Sequence, residues 1–417
     1  MIYVLLTYFF YPFLYLIASL KKKSEVKRIL VIQTAKIGDM ICSAPVIREI
    51  KKKYPHVHLS VMQSHVTGEL TENNPYVDEI ITIKNTDYKG LLGKIRLSNL
   101  ICRGKYDIAI CLNPNVPFAI ALFWGLVPIR LSVMPDFSGF TFKLASVFFT
   151  YLEKHISGRL VMETYMQMLK AIGIESSNIS KEVYKSEGAD IKVQQILRKI
   201  SPSPDPSHQG RGSEDGLPSM EGEIPSPLVG EPACPVGRGK GEGAFSAKIN
   251  KPLIGIAVSS GNKLKEPGVE KIAGITNMLL DSFDAQVVFI GSKEDKETAN
   301  KVLVLVNKKN RIIDATGKFS LGELPALVEK LSLFIGVDTG ITYMADALLI
   351  PIIDIAGPSD MDDQRPLGKN TRIIQKDISC VPCSHAFKSP YSCKRGDKIC
   401  ITSVDVSEII EAAKKLL

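Results

Sequence analysis

Short unbroken apolar runs alternate along the chain with stretches whose apolar residues recur at helical spacing, and this rhythm occurs twice. Residues 28–33 read as a buried strand, and 56–62, 77–83, 106–112 and 129–133 as further strands. Helix-like stretches over 38–53, 89–102 and 116–125 lie among them. In the first, Ile41, Ala44, Ile47 and Ile50 fall on one helix face. The rhythm restarts at residue 252, with strands predicted at 252–258, 286–290, 311–313, 333–337 and 351–355. Helices are predicted at 269–280, 295–306, 321–330 and 341–348. Such alternation requires parallel sheets with helices on both faces, so the pattern predicts an α/β chain of two doubly wound, Rossmann-like domains. A last amphipathic stretch, 404–417, is expected to form a helix packing back across the interdomain cleft.

Two segments break the rhythm. Residues 1–20 are almost wholly apolar and aromatic, interrupted by Thr7, Pro12 and Ser19 and closed by Lys21, Lys22 and Lys23. At about 1.5 Å per residue this stretch just crosses a bilayer core. It has neither a positive start nor a small-residue cleavage site, so it reads as an uncleaved anchor, with an interfacial helix as the alternative. The lysines favour leaving the following chain in the cytoplasm. Residues 201–247 are rich in Pro, Gly, Ser and charge, a composition that builds no core and is expected to be disordered. The predicted domains are therefore a membrane-anchor helix at 1–23, a first domain at 24–200 and the insertion at 201–247. A second domain follows at 248–400, with a cysteine-bearing loop at 380–400, and a C-terminal helix at 401–417.

Composition narrows the function. The formal charge of +8 is moderate, and its lysines do not interleave with aromatic residues as on a nucleic-acid platform. An anionic lipid surface or a phosphorylated substrate suits it better, and no nucleic-acid partner is expected. Eight cysteines in 417 residues do not make a disulfide scaffold. Cys42, Cys102 and Cys111 lie in apolar runs and read as core. Cys380, Cys383, Cys393 and Cys400 have zinc-ribbon-like spacing; they could close a tetrahedral metal site, pair as disulfides or remain free thiols.

Candidate chemistry gathers where strands end and helices begin, the place at which open α/β sheets bind ligands. After the first strand, Gly38 permits a close turn, and Asp39 at the helix start is either a plain cap or a general base facing a cleft. Asp338, Thr339 and Gly340 occupy the equivalent place in the second domain. There the unpaired amides and positive end of a helix suit a diphosphate. Lys265 lies in the loop after that domain's first strand and could neutralise a departing nucleotide diphosphate. Glu297, after the next strand, could hold a ribose or sugar hydroxyl. No Gly-x-Gly-x-x-Gly follows the first strand, which argues against a nicotinamide enzyme.

Taken together, these segments resemble glycosyltransferase family 9, the heptosyltransferases of lipopolysaccharide core assembly. The resemblance is carried by 29–45, Asn74-Pro75-Tyr76-Val77-Asp78-Glu79-Ile80, Lys265-Glu266-Pro267, 337–348 and the stretch from Gly357-Pro358-Ser359-Asp360 to Pro366-Leu367-Gly368. It implies a GT-B architecture, with the acceptor on the first domain and a nucleotide sugar on the second. It also implies inverting transfer without a metal or other cofactor, structural zinc at the four cysteines aside. By position Asp39 matches the catalytic base, Lys36 and Gly38 the acceptor-side loop, and Lys265 the phosphate-contacting lysine. Asp338, Thr339, Gly340 and Tyr343 fall on the donor-binding turn, and Glu297 on a nucleotide-side carboxylate. The implied partners are ADP-heptose, a lipopolysaccharide inner-core acceptor and the cytoplasmic face of the inner membrane.

Three positions depart from the family pattern. Tyr343 stands for a usual histidine, Asp363 for a common arginine and Glu266 for an aromatic residue. They imply a different donor sugar, Arg365 acting for the missing arginine, or a nucleotide-sugar-binding protein without turnover. The acidic run Asp360-Met361-Asp362-Asp363 resembles a metal-holding motif of other transferases, but the resemblance places it in a loop of a metal-independent family.

Overall fold

The computed structural model describes residues 2–21, 25–200 and 251–417, and the segment 201–247 lies outside them. The first sheet consists of β1 (Arg28–Gln33), β2 (His58–Ser64), β3 (Glu79–Ile83), β4 (Ile108–Cys111), β5 (Ile129–Met134) and β6 (Tyr151–Lys154). The second consists of β7 (Leu253–Ala257), β8 (Gln286–Ile290), β9 (Ile312–Asp314), β10 (Leu333–Val337), β11 (Ile352–Ile355) and β12 (Thr371–Ile374). Their orders are β3-β2-β1-β4-β5-β6 and β12-β11-β10-β7-β8-β9, with parallel pairing throughout. Both are the same doubly wound order, reversing between first and fourth strands. Ligands bind at such reversals because the flanking loops part there. The inner strands β1, β2, β4, β7 and β10 are buried along nearly their whole length, as the apolar runs of β1, β4, β7 and β10 predict.

The helices of the first half are α1 (Ile2–Leu20), α2 (Ile37–Lys53), α3 (Gly90–Gly104), α4 (Val116–Trp124), α5 (Phe140–Ala145), α6 (Val161–Leu169) and α7 (Ala189–Ile200). Those of the second half are α8 (Val269–Ser282), α9 (Lys296–Leu305), α10 (Leu324–Val328), α11 (Gly340–Ala347), α12 (Ile399–Thr402) and α13 (Val406–Lys414). Residues 1–201 and 251–417 form one compact unit. A single buried cluster runs from Val31 in β1 through Ile41 and Ile47 of α2 to Tyr343 and Met344 of α11 and Phe334 of β10.

Two placements differ from expectation. α7 precedes the insertion yet packs on α10 and β9, so the chain has joined the second sheet before residue 200. α13 does not cross the cleft. Its apolar stripe, Ile409, Ile410 and Ala413, packs on α8 and β11 within the second domain's own core. α1 is long and apolar enough to span a membrane, and one of its stripes rests on α4 and α5.

Candidate active site

The chain leaves β1 through Thr34, turns, and enters α2 at Ile37. Asp39 is in the first helical turn and its Oδ2 accepts the Lys36 N–H at 3.0 Å, which fixes the carboxyl at the helix mouth. Burial raises its pKa above the ordinary carboxylate value. The bond from the Lys36 amide and the charges of Lys36 and Lys265 act in the opposite direction, and Asp338 adds to the rise. Two residues past the end of β4, which lies beside β1, the Asn113 amide donates to Thr34 Oγ1 at 2.9 Å and braces the turn.

The second sheet repeats the arrangement. Asp338 follows the end of β10, Thr339 caps α11 in extended conformation, and Gly340 starts the helix. Asp338 is held by two groups: Lys265 Nζ pairs with Oδ2 and the Tyr343 hydroxyl donates to Oδ1. Burial alone would raise the Asp338 pKa, but the Lys265 charge and these hydrogen bonds outweigh it and hold the carboxyl below its usual value. Lys265 Nζ also donates to the Asp338 carbonyl at 3.3 Å.

The two helix mouths touch. A Cβ on Gly38 would lie 2.9 Å from the Tyr343 ring and one on Gly340 would lie 2.4 Å from Ile37 Cγ2, so only glycines permit this approach. Above the contact opens a cleft of about 890 Å³. Lys36, Asp39, Asn113 and Tyr165 line it from the first domain, and Lys265, Asp338, Thr339 and Gly340 from the second. A carboxyl able to take a proton therefore faces a lysine and a helix amide end able to receive a diphosphate.

Residues 234–392 match the model of glycosyltransferase family 9 (heptosyltransferase). Lipopolysaccharide heptosyltransferase 2 of Salmonella typhimurium is 23% identical over 356 residues, 84% of this chain and 88% of that protein. Lipopolysaccharide heptosyltransferase 3 of Escherichia coli is 21% identical over 336 residues, 80% of this chain and 84% of that one. The crystal structure of a family 9 glycosyl transferase from Veillonella parvula superposes with a TM-score of 0.71 at 22% identity, covering 94% of this chain and 98% of that chain. E. coli ADP-heptose lipopolysaccharide heptosyltransferase II superposes at 0.64 with 18% identity, covering 93% and 98%. The chain is similar to glycosyltransferase family 9 in sequence and in fold. Its fold is GT-B, and it is a glycosyltransferase.

Within the chain most of the expected site residues come together, and Glu297 does not. It is exposed on α9, pairs with Lys301 at 2.7 Å and stands outside the cleft lining. The acid that turns into that strand end is Asp295, which accepts from the Ser292 N–H at 2.7 Å and its hydroxyl at 2.8 Å. Arg365 likewise turns away, donating to the Met361 carbonyl at 2.7 Å and pairing with Asp362. Asp363 is buried, bonded to His155 of the first domain at 3.3 Å, and its carbonyl accepts the Val161 N–H at 2.8 Å.

Cys380, Cys383, Cys393 and Cys400 are free thiols. Burial and then the neighbouring thiols raise the Cys383 and Cys400 pKa values. Among the described residues the ligand-type group gathered within 4.8 Å is Asp360, Asp363 and His385, not the cysteines. As arranged, the thiols do not fit a tetrahedral zinc site, and His385 Nδ1 already bridges Asp360 at 3.0 Å and Asp363 at 3.5 Å. The loop's evident contribution is a cleft wall that sequence reasoning missed. His385, Phe387, Lys388 and Tyr391 line the cleft, and the Lys36 ammonium lies 5.5 Å from the Tyr391 ring centroid. Asn262 ties this wall to the Lys265 loop, donating to Ser389 Oγ at 3.1 Å and the Pro390 carbonyl at 2.9 Å. The wall has no periodic pattern; only the cysteine spacing around it gave a signal.

Proposed function

We propose that the chain transfers heptose, or a related sugar, from an ADP-sugar to a lipopolysaccharide-core or other lipid-linked acceptor, with inversion and without a metal, at the cytoplasmic face of the inner membrane. The observation that carries the reaction is the contact of the α2 and α11 mouths, with the Asp39 carboxyl on the acceptor side. Asp39 takes the proton of the acceptor hydroxyl while that oxygen bonds to the anomeric carbon. The bond from that carbon to the diphosphate oxygen breaks, and the nucleoside diphosphate leaves with the electron pair. One attack from the face opposite the leaving group inverts the centre. Lys265 and the amides opening α11 receive the charge on the leaving oxygen, the role a divalent cation would otherwise fill. The named relatives support heptose, ADP and the lipopolysaccharide acceptor, and the basic run Lys21-Lys22-Lys23 suits an anionic membrane surface.

The decisive measurement is nucleoside diphosphate release by the full chain with ADP-, UDP- and GDP-sugars, with and without a lipopolysaccharide-core acceptor. Acceptor-dependent release from ADP-heptose alone is expected. Release only from a UDP- or GDP-sugar would overturn the donor, and release unaffected by Asp39→Ala would overturn the base.

A further inference from the structure

α1 is apolar on every side, and its two sides meet different surroundings. The stripe Val4, Thr7, Tyr11, Leu14 and Ala18 faces the first domain. Thr7 Oγ1 accepts from Trp124 Nε1 at 3.0 Å, the Tyr8 hydroxyl donates to the Leu144 carbonyl at 2.8 Å, Tyr11 stacks on Phe123 at 5.3 Å, and Lys94 lies 4.4 Å from the Tyr3 ring centroid. The opposite stripe is bare: Phe9 is 79% exposed, Phe13 64% and Leu20 77%. Neighbouring elements extend it with Leu92 of α3, 71% exposed, and Phe140 of α5, 70% exposed. So large an unpartnered apolar surface marks an interaction face.

Charge identifies the occupant. α1, α3, α4 and α5 contain no Asp or Glu, in a chain with 44 of them, while Lys94, Arg96, Arg103 and Lys143 all lie on these helices. An apolar face built on helices whose only formal charges are cations complements an anionic lipid leaflet, the composition of an in-plane membrane helix. We infer that α1 does not cross the membrane but lies in its plane, still docked on the first domain, so that the face around Phe9, Phe13, Leu92 and Phe140 enters one anionic leaflet. A spanning helix would have to abandon the Thr7, Tyr8 and Tyr11 contacts; an in-plane one keeps them.

Trp124, the chain's single tryptophan, sits beneath α1 and reports on both questions. The full chain is mixed with vesicles of phosphatidylglycerol and phosphatidylcholine, plain or brominated on the acyl chains. Expected are binding to anionic vesicles, quenching of Trp124 by brominated lipid and no red shift of its emission. Phe9→Asp with Phe13→Asp should weaken binding by roughly tenfold or more with Trp124 emission in buffer unchanged, and Arg96→Glu with Lys143→Glu should do so on anionic vesicles only. Binding unaffected by either pair would overturn the inference. So would red-shifted, unquenched Trp124 emission on vesicles, since the helix would then have left the domain to span. Conversion of a stable dimer to monomer by the Phe pair, with vesicle binding unaltered, would assign the face to a second copy. No donor or acceptor is used, so failure here leaves the sugar-transfer reading standing, and the reverse holds.

Discussion

In the proposed reaction Asp39 would owe its chemistry to partial burial. Because burial raises its pKa, the proton-accepting form is reached at higher pH than for an ordinary carboxylate, and kcat should rise with pH through that range. Lys265 stabilises the anion, so Lys265→Met should move this acid limb to still higher pH as well as lowering the plateau; a pH–rate profile with the limb unmoved would count against the coupling. Asp39→Asn should cut kcat by roughly 10²–10⁴ while leaving nucleotide-induced thermal stabilisation intact. Asp354, in the middle of β11, is the converse case: fully buried, with neither oxygen hydrogen-bonded, its pKa raised by burial and then by Asp338. The folded state binds that proton more tightly than the unfolded chain. Its contribution is therefore present below the unfolded pKa and is lost as pH rises toward the folded one. The always-neutral Asp354→Asn should melt above wild type at mildly alkaline pH, and calorimetry should show the difference vanishing near pH of about 4.

At the scale of elements, what was legible depended on burial. Strands buried on both faces are unbroken apolar runs, so β1, β4, β7 and β10 are legible together with the turns and helix starts that follow them, which hold Asp39, Lys265 and Asp338. The edge strands β6 and β12 escaped notice because half of each faces water and carries residues such as Glu153, Lys154 and Arg372. Glu297 was placed at the right strand end, but helix phase turns it outward, a matter of one residue's rotation that spacing does not resolve. The approach of α2 to α11 was legible only as two separate glycines. Gly340→Ala should force the two helix starts apart, costing about 1–3 kcal/mol and most of the transfer activity. Ile37→Ala in the same chain should restore both, as read by thermal melting and nucleotide release.

For the whole molecule, buried polar links join the halves. Lys181 pairs with Asp346 at 2.7 Å and donates to the Arg365 carbonyl at 3.0 Å, His155 meets Asp363, and Glu69 accepts the Gly322 N–H at 2.8 Å. None could be paired from sequence, since each joins residues well over a hundred positions apart. Breaking a buried ion pair strands the remaining charge, so Lys181→Met should destabilise by about 3–5 kcal/mol, visible as a lower Tm in calorimetry. An unchanged Tm would mean that Asp346 is adequately satisfied by the Leu367 and Gly368 amides.

The early crossing of α7 changes what the Pro- and Gly-rich segment can influence. Its two anchor points, the end of α7 and the start of β7, belong to the same packing unit, so the covalent bridge between Asp39 and Lys265 is the stretch preceding α7. Lengthening or trimming the low-complexity segment should therefore leave the reach between those two residues untouched.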